Sequence, residues 1–143
     1  MWFWYAIMAS ALWGISYVVN QVLMSKLNTL EIILFESTFI VVLFIPWLFF
    51  NYGLKSTLMK YMDIKLILLL LCSSSIYLLA SVFILKSIGS SNATLASIIE
   101  ASYPIFTVIF AYIFLGQKQF NMATLVGCSF IILGLIIVQQ GGK

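Results

Sequence analysis

Apolar and polar positions along this chain fall into long blocks. One apolar run covers residues 2–24, and a short polar turn over 25–29 with Lys26 follows it. A second run, 30–50, carries Glu36 and Pro46. The longest polar connection, 51–63, holds Gly53, Lys55 and Lys60, with Lys65 at the edge of the next run. The third run, 64–85, is interrupted only by Ser73, Ser74, Ser75 and Ser81, and a Ser/Gly turn is expected over 86–92. The fourth, 93–115, encloses Glu100 and Pro104; residues 116–120 turn the chain, and the fifth covers 121–140 before Gly141-Gly142-Lys143. A helix of about 20 residues crosses the hydrocarbon core of a bilayer. A membrane barrel needs ~10-residue segments of alternating apolarity, and these runs do not alternate. The pattern predicts an all-α membrane protein: one domain over 1–143 with five transmembrane helices. The first run starts at once and lacks a basic leader, so it reads as a retained helix and not a signal peptide.

Composition agrees with the pattern and then narrows the chemistry. Hydrophobic residues make up 64% of the 143 and charged residues 8%, where a soluble domain carries about 25% charge. Four acids and seven lysines cannot cover a water-exposed surface. The chain has no His and no Arg, and Asp63 is its one aspartate. Zinc sites of the usual His type, Ser–His or Cys–His nucleophiles and Arg clamps on phosphate all lack their parts. An enzyme is not expected, and neither a metal nor another cofactor is implied. The net charge of +3 is scattered, too dilute for a nucleic-acid surface. Cys72 and Cys128 lie inside apolar runs and read as small buried hydrophobes.

Five helices put the termini on opposite sides. Lys55, Lys60, Lys65 and Lys118 then share one face and Lys26, Lys86 and Lys143 the other. Four against three is a weak orientation signal. It fits either a cytoplasmic N-terminus or insertion in both orientations.

Polar groups inside the spans carry the most information, because hydrocarbon makes them costly. Glu100 lies seven residues into the fourth run, about 10 Å deep at 1.5 Å per residue. Glu36 lies at similar depth in the second, and Tyr17 and Tyr77 fall in the same layer counted back along the first and third. A shared cavity is the expectation. On the first helix Ser10, Trp13, Gly14, Tyr17, Asn20 and Gln21 recur every three or four residues as one polar–aromatic stripe. Ser74, Tyr77 and Ser81 do so on the third, and Ala93, Ser97, Glu100, Pro104, Thr107 and Ala111 form a small-residue face on the fourth. The Ser and Thr positions read as interhelical hydrogen bonds. Desolvation disfavours a carboxylate's charge, so an acid that gains and loses a proton can couple proton movement to conformational change. Packing does not require an acid at Glu100; Glu36 can also snorkel to the nearer interface. Pro104 removes the backbone bond to the Glu100 carbonyl and is expected to kink the helix. Ala123, Gly127 and Gly134 share one face of the fifth helix as a packing seam.

Two stretches carry a family resemblance. One is Ala11-Leu12-Trp13-Gly14, with polar positions continuing to Asn20. The other runs through Asn92-Ala93-Thr94-Leu95-Ala96-Ser97, Tyr103-Pro104-Ile105-Phe106 and Phe114-Leu115-Gly116 to Gly127 and Gly134. Together they resemble one EamA-type unit of the drug/metabolite transporter superfamily, over essentially the whole chain. Larger members resemble two such units in tandem as inverted repeats with a substrate cavity between them. The resemblance implies one half of that architecture: a half-size transporter or exporter of small metabolites in the prokaryotic inner membrane. One unit is not itself an inverted repeat, so a second is expected from an antiparallel homodimer or a heteropair, working by alternating access. Small metabolites follow from the resemblance, while two acids and several aromatics suit a cationic or amphipathic substrate, with Glu100, Glu36, Tyr17, Asn20, Tyr77 and Trp13 as the binding set. A lipid-linked-sugar flippase subunit and a non-transporting membrane subunit are the alternatives. Three departures stand out. Glu36 occupies a position where tandem members often have a basic residue, and Gln117 one where they often have an acid. The first helix lacks the acid of the small multidrug-resistance proteins. Glu100 therefore rests on its burial alone.

Overall fold

The computed structural model describes residues 1–52, 63–117 and 121–141. Among these residues the chain is helical and has no strand. α1 covers Trp2–Met24, α2 Thr29–Tyr52, α3 Ile64–Ser90, α4 Ala93–Glu100, α5 Tyr103–Leu115 and α6 Met122–Gly141. They make five helical spans long and apolar enough to cross a membrane, because α4 and α5 are two segments of one span, Ala93–Leu115. Lys55, Lys60, Lys118 and Lys143 lie outside the described residues, and with them most of the lysine distribution on which the orientation argument depends.

The starts of α2, α3, α4 and α6 have a common cause. The first N–H groups of a helix lack an intrahelical acceptor, and near hydrocarbon that deficit is not relieved by water. A short Asn or Asp side chain supplies the acceptor. At α2, Asn28 Oδ1 accepts from the Glu31 N–H at 3.0 Å while the Asn28 N–H donates to Glu31 Oε2 at 2.8 Å. This is a reciprocal capping box. Asp63 Oδ1 accepts from the Lys65 N–H at 2.9 Å ahead of α3. Asn92 is extended and accepts from the Leu95 N–H at 2.8 Å ahead of α4. Asn121 accepts from the Thr124 N–H at 2.8 Å ahead of α6. At the far end of the fourth span Gly116 stops α5 with φ 63°, a left-handed conformation that favours glycine.

The chain divides into two units, Val19–Ser90 and Met1–Val18 with Ser91–Lys143. In the first, α2 packs on α3. Ile32, Ile33 and Leu85 are buried together, and Leu23, Met24 and Val82 pack against them. α3 does not end near Leu85 as its apolar run suggests. It continues to Ser90, and the expected turn shrinks to Ser91 and Asn92. Burial explains the extension: Ile88 is covered one turn beyond Leu85, and Gly89 lies against Met24 so closely that a Cβ there would stand 2.7 Å from Met24 Cε. In the second unit α4 packs against α6, and Ala93, Ala96 and Tyr17 are buried.

Elsewhere the large apolar side chains, among them Leu34, Phe35, Leu69 and Ile137, face outward. Lipid tails are as apolar as these groups, so outward placement carries no transfer penalty. Cys72 is exposed and Cys128 half-buried, both as free thiols; the expectation that they are buried is not met, because an outward position costs an apolar group nothing in lipid. The interhelical reading of the hydroxyls also needs correction. Of the stripe positions, Ser81 donates to the Tyr77 carbonyl, Ser97 to Thr94 and Thr107 to Tyr103, all on their own helices at 2.9–3.0 Å. A hydroxyl reaches the carbonyl one turn back without waiting for a neighbouring helix.

The capping box makes a direct stability prediction. Asn28→Ala and Glu31→Ala are each expected to lower the unfolding free energy by about 1 kcal/mol. The double variant should lose less than the sum, because the two bonds form one motif. Equilibrium unfolding in mixed micelles measures all three, and strict additivity would show that the two bonds act separately.

Candidate functional site

The fourth span is broken in its interior. α4 ends at Glu100, Ala101 and Ser102 form a turn, and α5 begins at Tyr103 with Pro104 in its first turn. Proline brings no N–H, and its ring crowds the carbonyl four residues back, here that of Glu100. The backbone tightens across the gap. Ser102 N–H donates to the Ile99 carbonyl at 3.1 Å and Ile105 N–H to the Ser102 carbonyl at 3.0 Å, both three-residue bonds. Ala101 N–H still reaches the Ser97 carbonyl at 3.0 Å. The turn thus satisfies its own donors and ends α4 on the one acid of the span.

Glu100 is not buried as expected but exposed, because the break ends α4 on it, and its Oε2 accepts a hydrogen bond from the Tyr17 hydroxyl. Tyr17 itself is buried, so α1 delivers a packed ring whose polar tip ends on an accessible carboxyl. One turn earlier on α1, the Trp13 ring lies 5.9 Å from that of Tyr17, tilted by 46°, with half of Trp13 exposed. Glu100 is the one charged side chain among the described residues of its unit. Its hydrogen bond therefore comes from a neutral donor, and no described lysine of that unit is present to balance it. A carboxyl so placed is suited to take a proton or a cationic group, and the adjacent aromatic faces also attract cations.

The remaining expected site residues are distributed differently. Asn20, Glu36 and Tyr77 belong to the other unit. Asn20 is buried there, while Glu36 on α2 and Tyr77 on α3 are exposed. On α6, Ala123 and Gly127 are exposed and Gly134 is half-buried. A Cβ at Gly127 or Gly134 would meet nothing within 4 Å, so no described side chain occupies this seam. No three His, Cys, Asp or Glu side chains gather as a metal-holding group among the described residues. Matched depth placed Tyr17 and Glu100 in one layer without showing that they bond. The Asn92 cap carries a signal in the sequence too, because Asn ahead of a small-residue helical run is a readable helix start.

Five apolar spans, one of them discontinuous around an acid, define a multi-pass integral membrane protein whose surroundings are the bilayer. Residues 1–139 match the EamA-like transporter family. The chain belongs to that family as a single EamA-type unit of the drug/metabolite transporter superfamily, and it is a membrane transporter of that type. No curated protein and no solved structure matches it.

The Tyr17–Glu100 bond is open to a double-mutant cycle. Tyr17→Phe and Glu100→Ala are expected to show a coupling of about 1 kcal/mol in unfolding free energy, at the low end for a charged acceptor because Glu100 is exposed. Tyr17→Phe with Glu100→Gln should behave differently, since the amide oxygen of Gln can still accept from Tyr17. Zero coupling in the Ala cycle would mean that the bond contributes nothing.

Proposed function

We propose that this unit exports small metabolites or amphipathic cations by alternating access, with Glu100 as the acid that takes the proton or the cargo. The observation that carries this reading is the position of Glu100, the one charged side chain described in its unit, at the break of the fourth span. Discontinuous membrane helices commonly bring binding groups to a transporter's substrate and ion sites. Trp13 and Tyr17 provide the aromatic side of the site, and Pro104 keeps the break open. Asn20, Glu36 and Tyr77 are further candidate binding residues in this reading.

The second half of the path comes from another five-helix unit, as an antiparallel homodimer or a heteropair in the prokaryotic inner membrane. The small-residue face of α6 with Ala123, Gly127 and Gly134 supports such packing, since small residues let helix backbones approach closely.

Two experiments test the reading. In proteoliposomes carrying a pH gradient, Glu100→Gln is expected to abolish gradient-driven flux, assayed with a panel of small organic cations and neutral metabolites. Wild-type flux in that variant would remove the coupling role, and no flux from the unaltered protein would favour a lipid-linked-sugar flippase subunit or a non-transporting subunit. Orientation is read with one cysteine at Ser25, in the exposed turn between α1 and α2, after Cys72 and Cys128 are changed to Ala. Labelling of intact cells from both sides is the expected result for the antiparallel homodimer. Labelling from a single side removes the antiparallel homodimer and leaves a heteropair or a parallel assembly.

A further inference from the structure

Tyr17 holds a different place from the other aromatic residues of the site. Its ring is buried while its hydroxyl ends on a carboxyl that is exposed. A residue serving only as cavity lining would present its ring to the cavity. This one presents a single hydrogen-bond donor, and its acceptor is the last residue of α4. The bond therefore joins α1 to the span at the point where that span is broken.

The strength of such a bond depends on the charge of its acceptor. A hydroxyl donating to an ionised carboxylate makes a bond roughly twice as strong as one between neutral groups. No lysine stands among the described residues of this unit, and the described group that donates to this carboxylate is the Tyr17 phenol. When Glu100 takes a proton, its charge is gone and the bond from Tyr17 falls to the neutral class. A cationic group on the free oxygen, Oε1, draws on the same charge and weakens the tie in the same direction.

We infer that Tyr17 is a charge-sensing tie, strong while Glu100 is empty and ionised and weak once Glu100 is loaded, so that loading releases α1 from the break in the fourth span. This assignment rests on the reading of Glu100 as the acid that takes proton or cargo. It makes Tyr17 a positioning residue whose hydroxyl reports occupancy of the acid to a second helix. Trp13, one turn away and in ring contact with Tyr17, moves with it.

The test reads the protonation of Glu100 directly, on the full chain in lipid vesicles. Dicyclohexylcarbodiimide reacts with protonated carboxyls in apolar surroundings, and peptide mass separates the Glu100 adduct from one at Glu36. The other titratable side chains described in the unit, Tyr5, Tyr103, Tyr112 and Cys128 beside Tyr17 itself, are phenols and a thiol and form no acyl adduct. A donor to the ionised form favours that form. Removing it in Tyr17→Phe is expected to move half-maximal labelling up by about one pH unit, or about tenfold in labelling rate at a fixed pH above the midpoint. Fluorotyrosine at position 17, a stronger donor with almost the same shape, is expected to move the profile the other way. Opposed shifts support the tie. An unmoved or downward profile in Tyr17→Phe overturns it, and if that variant does not fold, an unmoved profile with fluorotyrosine overturns it alone. Flux separates the two levels of the argument. If gradient-driven flux survives Glu100→Gln while the labelling profile still shifts, the coupling reading fails and the bond's charge sensitivity stands. If flux is lost in Glu100→Gln and the profile does not move, the coupling reading stands and the tie fails.

Discussion

A backbone in hydrocarbon finds no water to complete its hydrogen bonds, so every N–H and C=O must be answered within the protein. The organisation of this chain follows from that constraint. Runs of apolar residues fold as helices because a helix answers its own backbone over nearly all of its length. The deficit is confined to helix ends, and there Asn28, Asp63, Asn92 and Asn121 supply acceptors from their side chains. Several serine and threonine hydroxyls within the spans also turn back onto carbonyls of their own helices.

The break in the fourth span belongs to the same account. Pro104 removes a backbone bond from the fourth span, which breaks there while α2 runs unbroken through Pro46, and the three-residue bonds at Ser102 and Ile105 close the gap. The stretches that carry the family resemblance have physical tasks here. Asn92 starts the span, Pro104 divides it and Gly116 stops it in a left-handed conformation. The motif is in large part the punctuation of one discontinuous helix, which explains why it remains readable in a chain whose other positions need only be apolar.

Much of the fold was legible for that reason. Run length and the absence of alternation identify five helical spans, and Pro104 marks the region where the fourth is interrupted. Where α3 ends was not legible, because Lys86, Ser87 and Gly89 look like turn residues until Ile88 is seen to be covered and Met24 to lie against Gly89. In the site, depth along the helices brought Tyr17 and Glu100 into one layer, since depth is simple counting. Their hydrogen bond was not legible, because it depends on how α1 is rotated about its axis. The hydroxyls misled for a related reason: residue type shows that they need a partner, but not that the partner lies one turn back.

The self-answering hydroxyls have a consequence for how this unit is recognised. Hydroxyls whose one donor already goes to their own helix leave the lipid-facing helices with less polar lettering for a neighbour to read. A helix packing beside this unit would then be met by contour: where a glycine leaves a hollow, and which ridge on the adjoining helix fills it. Such a code is written in volumes, so one added methyl can rewrite it, while many exchanges among large apolar residues leave its meaning intact.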